Sequence, residues 1–66
     1  MDEAWNVMYR DEDGHMCVQH AGSEGDARLF AIALSYQHAV AVAGNGKNLI
    51  LNYMNGELTS EIAQVR

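Results

Sequence analysis

The chain has 66 residues, a net charge of −5 from nine acids against four bases, and 48% apolar residues. That is one domain, 1–66, with a thin core. The scattered bases Arg10, Arg28, Lys47 and Arg66 argue against direct nucleic-acid binding, which needs clustered Lys and Arg, so none is expected. Cys17 is the lone cysteine, so no intramolecular disulfide forms. Neither the start of the chain nor Leu29 to Ala43 has the pattern of a leader or a membrane span, so an intracellular, cytoplasmic protein is expected.

Ala4 to Arg10 alternates, with Trp5, Val7 and Tyr9 on one side and Asn6, Met8 and Arg10 on the other. This predicts a half-buried strand. Asp11-Glu12-Asp13-Gly14 follows, with Asp-Gly as a hairpin turn. His15 to Ala21 then places Met16, Val18 and His20 on one face and His15, Cys17 and Gln19 on the other. The two segments are expected to pair as an antiparallel hairpin.

Gly22-Ser23 breaks the pattern. Ser23 caps a helix expected from about Glu24 to Gln37, and Glu24 and Asp26 in its first turn suit the helix dipole. Its polar side is narrow, Arg28 and Ser35, so the helix is expected to be buried on more than one side. Ala39 to Ala43 reads either as more helix ending at Gly44 or as a strand. The strand is preferred, because the turn Gly44-Asn45-Gly46-Lys47 and the strand-forming run Asn48 to Met54 come next. Leu49, Leu51 and Tyr53 share one face there; Ile50, Asn52 and Met54 share the other. Asn55-Gly56 marks a further turn. Glu57 to Arg66 reads as either a fifth strand or a short helix, with Leu58, Ile62 and Val65 at helical spacing. The expected class is α+β, ordered β-β-α-β-β with a short C-terminal element, one helix packed on one face of an antiparallel sheet.

The soft-ligand cluster is His15, Cys17 and His20. On a regular strand His20 points away from the other two, and a fourth zinc ligand has only His38 to supply it, so no metal and no cofactor is expected. A catalytic Cys–His pair needs a cleft for which a domain this small has little room. Gly44-Asn45-Gly46-Lys47 lacks the remaining residues of a phosphate loop and reads as a tight turn. The chain is therefore expected not to be an enzyme.

Two features point to binding instead. Asp11, Glu12 and Asp13 at the hairpin tip, with Glu24 and Asp26 at the helix start and Asp2 and Glu3 near either, suggest an acidic surface that docks on a basic partner, with Trp5 and Tyr9 as neighbouring contacts. Met8, Cys17, Ile50 and Met54 are expected on the sheet face opposite the helix, where apolar residues mark an interface. Met8, Ile50 and Met54 are the residues expected to self-associate in the alternative reading, a homodimeric structural or regulatory module.

The hairpin around Asp13-Gly14, the Ala21-Gly22-Ser23 entry to an Ala-rich helix and the strands around Gly46-Lys47 together resemble small phage-encoded inhibitors of the anti-CRISPR type. The resemblance covers most of the chain and rests on size, acidity and element order. It implies a stoichiometric inhibitor that occupies a nucleic-acid-binding surface on a bacterial surveillance complex or nuclease, and it carries over no functional residue.

Overall fold

Strand β1 (Trp5–Arg10) buries alternate residues, Trp5 and Val7, as its alternation requires. A computed structural model describes residues 4–63 of the chain. β1 pairs antiparallel with β2 (Met16–Ala21), from Trp5 opposite Ala21 to Arg10 opposite Met16. The turn between them is organised by the Asp11 carboxylate. Its Oδ1 accepts from the N–H groups of Asp13 (3.0 Å) and His15 (2.8 Å). Gly14 supplies the positive φ of 83°.

Helix α1 (Glu24–His38) starts at Ser23, whose Oγ accepts from Asp26 N at 3.2 Å. Glu24 and Asp26 sit in its first turn and His38 in its last, matching the helix dipole. Ala27, Ala31 and Ser35, four residues apart, form the buried stripe, and their small size lets the helix lie close to the sheet. The expected polar side is corrected here. Ser35 faces the sheet and is fully buried, with its hydroxyl bonded on both sides. The outer side is apolar instead: Leu29 is 65% and Tyr36 69% exposed.

Ala39 to Ala43 does not extend the helix. β3 (Val40–Gly44), β4 (Leu49–Met54) and β5 (Glu57–Ala63) follow, in a five-stranded sheet of order β2-β1-β3-β4-β5 with every neighbouring pair antiparallel. The tail resolves as a strand rather than a helix as far as Ala63, and Val65 lies outside the described residues. Asn55 (φ 51°) and Gly56 (φ 86°) close the β4–β5 hairpin with two consecutive positive φ angles, the signature of a type I′ turn. A bulge between Asn52 and Tyr53 shifts the register once along β5.

The core lies between the helix and one face of the sheet. Trp5, Val7, Ala41, Ala43, Leu51 and Tyr53 from the strands meet Ala27 and Ala31 of the helix. Four of these eight core residues are alanines, so the apolar volume is small. Among the described residues no helix or strand covers the opposite face of the sheet. No helix among them is long and apolar enough to cross a membrane.

Candidate interaction surface

The strand registers set the open face out as rows running across the sheet. The middle row reads Val18, Met8, Val42, Asn52 and Ser60. On one side of it lie Met16, Arg10, Val40, Met54 and Glu57, where Arg10 and Val40 line the same hollow. On the other side lie His20, Asn6, Gly44, Ile50 and Ile62. Met8, Met16, Val18, Val40, Ile50 and Met54 are each between 37% and 58% exposed, and so is Ile62. Contiguous exposure of this kind is unusual for a surface that meets only water.

The face is also nearly uncharged. Among its described strand residues only Arg10 and Glu57 carry a formal charge, both in one row, with two strands between them. Asn52 Nδ2 donates to Ser60 Oγ at 2.8 Å, which satisfies the polar pair of the middle row. Asn6 is different. Its Oδ1 is buried and is the one such side-chain atom among the described residues with no hydrogen-bond partner. Gly44, beside it, has no side chain and leaves a hollow between Met8, Val18 and Ile50.

Met8, Ile50 and Met54, expected on this face, all lie on it. Cys17 does not. It pairs with Tyr9 and so shares the helix side of the sheet, while Met16 and Val18 take the open side. The sequence groups Met16 with Val18 on one face of β2 without setting that face opposite the helix. The signal it lacked was the hairpin register, since a shift of one residue turns every side chain of a strand to the other face.

The acidic residues do not form one surface. The Asp11–Asp13 turn joins the end of β1 to the start of β2, whereas Glu24 and Asp26 follow the end of β2. The two groups are thus separated by a six-residue strand, about 20 Å. Asp2 and Glu3 lie outside the described residues. Asp11 is engaged by the turn, and its Oδ2 lies 3.6 Å from His15 Nδ1. Glu24 Oε2 accepts from Arg28 Nε at 2.9 Å, and this bond raises the Arg28 pKa above its ordinary value. Trp5, expected as a partner contact, is 1% exposed and belongs to the core, because its indole lies on the helix side of β1. Tyr9 is half-buried and stacks on His38, with ring centroids 4.8 Å apart.

His15, Cys17 and His20 are not brought together. His20 lies on the open face, and the described contacts of Cys17 Sγ are Asp11 Oδ2 (3.9 Å) and the His15 carbonyl (3.6 Å). The potential ligand atoms of Asp11, Asp13 and His15 do fall within 4.8 Å of one another in the exposed turn. Asp11 Oδ1 there already holds two backbone N–H groups. The Gly44–Lys47 turn is likewise occupied by its own chain. Asn45 Oδ1 accepts from the N–H groups of Lys47 (2.9 Å), Asn48 (3.0 Å) and Leu49 (3.1 Å), the donors that a phosphate cradle would need. Compared with family models, with curated proteins and with solved structures, the chain matches none.

Proposed function

We propose that this domain is a non-catalytic protein-binding module whose contact surface is the open sheet face. The observation that carries the reading is the contiguous, nearly uncharged array around Met8, Val42 and Ile50, exposed where a solvated sheet face is ordinarily polar. Methionines at three of its positions suit a surface that adapts to a partner. The test is affinity capture with wild-type bait and with Val42→Lys bait of equal helical and strand content. Proteins retained by the wild type at high salt and lost by the variant support the reading. An identical set on both baits sinks it.

A second reading is a stoichiometric inhibitor of the anti-CRISPR type, acting in a host-cell cytoplasm. It would present acids to the basic surface of a nucleic-acid-binding complex. The net charge of −5 and the exposure of Glu12 and Asp13 at the β1–β2 turn support it. In that case capture is lost at high salt, and Glu12→Lys with Asp13→Lys abolishes it. Binding that survives both changes removes this reading.

A further inference from the structure

We infer that the occupant of the open face is a second copy of this chain, stacked sheet on sheet as a two-fold β-sandwich with a helix on each outer side. This rests on the proposed reading of that face as a binding surface. Charge is the first argument. The molecule carries −5, yet the face carries one Arg and one Glu, so the contact between two copies buries little net charge. A basic partner would find only Glu57 on the face to attract it, offset by Arg10.

Row geometry is the second argument, and it selects the symmetry. Stacked sheets align their strands within about 30° and lie about 10 Å apart. A two-fold axis along the strands would set Met8 against Asn52 and Asn6 against Ile50, apolar on polar. An axis across the strands, through the Met8–Val42 row, keeps the apolar centre together and leaves its mismatches, Met16 on His20 and Glu57 on Ile62, on the two edge strands. Met8 and Val42 then meet their own copies, and Met54 meets Ile50. Val40 enters the hollow left by Gly44.

Area and core are the third argument. Five strands, about 4.8 Å apart and about 20 Å long, span roughly 500 Å² in projection. Side-chain relief raises the accessible area toward the ~800 Å² per partner of a standard stable interface. The alanine-rich core under the helix is thin and Cys17 is a free thiol, so a second apolar layer is the staple that a domain of this size otherwise lacks.

The test is molar mass by light scattering across a dilution series, with 8-anilinonaphthalene-1-sulfonate fluorescence on the same samples. The expected result is twice 7.3 kDa for the wild type and 7.3 kDa for Val42→Glu with an unchanged circular dichroism spectrum. Met54→Glu, at a more exposed position, serves where Val42→Glu fails to fold. Arg28→Ala, on the helix, is expected to leave the dimer dissociation constant unchanged. A wild type of 7.3 kDa at every concentration that binds the dye overturns the second copy and leaves the binding surface standing. A monomer that binds no dye overturns both. A dimer that persists in both glutamate variants overturns the face.

Discussion

Ser35 Oγ accepts a hydrogen bond from the Gly56 N–H at 2.7 Å and donates one to the Ile32 carbonyl at 2.9 Å, joining the helix to the β4–β5 turn across 21 residues. Ser35 itself is fully buried beneath the helix. Ser35→Ala removes the acceptor and leaves a sheltered N–H behind. The expected cost is about 1–3 kcal/mol. Chemical denaturation gives the number, and the Gly56 amide is expected to lose hydrogen-exchange protection first. A variant as stable as the wild type would mean that water reaches the turn.

Gly56 is constrained twice. Its φ is 86°, and a Cβ there would overlap the ring of Tyr36. The two effects are separable, because the Tyr36 ring is exposed and can swing outward. Gly56→Ala is expected to cost about 1–2 kcal/mol from the backbone, with a further increment for displacing the ring. In a Tyr36→Ala background the increment disappears and the backbone part remains. A double-mutant cycle with no coupling would show that the ring bears no load.

The strand faces of β1 and β4 were readable because each has one buried side, and alternation marks it directly: Trp5 and Val7 in one, Leu51 and Tyr53 in the other. The β1–β2 register was not. A two-residue turn at Asp13-Gly14 would pair Glu12 with His15 and would put Cys17 on the open face. Asp11 instead captures the Asp13 and His15 N–H groups, widens the turn and pairs Arg10 with Met16. One residue of register therefore decides which of Cys17 and Val18 belongs to the candidate surface. Ser35 was misread for a related reason. A hydroxyl on a helix looks like a solvent contact until a partner 21 residues away is in place.

Asn45 holds the β3–β4 turn from within. It is 8% exposed, its Oδ1 gathers three backbone N–H groups, and its Nδ2 donates to Asn48 Oδ1 at 2.9 Å. Asn45→Ala is expected to cost about 2–3 kcal/mol, the sum of donors left to weak solvation. Asn45→Asp keeps an acceptor for all three and loses only the donation to Asn48, so it is expected to be the milder change. Thermal melts of the pair order the two, and an alanine variant equal to the aspartate would assign the stabilisation to the turn backbone instead.

Ala39 is the strained joint of the fold. It has φ 73° and ψ −48°, between a helix that ends at His38 and a strand that starts at Val40. One residue must reverse the chain, and its carbonyl is held there by the Asn55 N–H at 2.9 Å. That bond ties the helix end to the β4–β5 turn next to the Ser35–Gly56 bond, so two contacts enforce a backbone that alanine disfavours. Glycine adopts it freely. Ala39→Gly is therefore expected to stabilise the domain by about 1 kcal/mol, with the gain in the folded state exceeding the added freedom of the unfolded chain. That corresponds to a melting temperature higher by about 4–8 °C. Ala39→Val adds β-branching at the same φ and is expected to shift the melt downward. If glycine lowers the melting temperature, the strain is absent and the joint is held by its hydrogen bond alone.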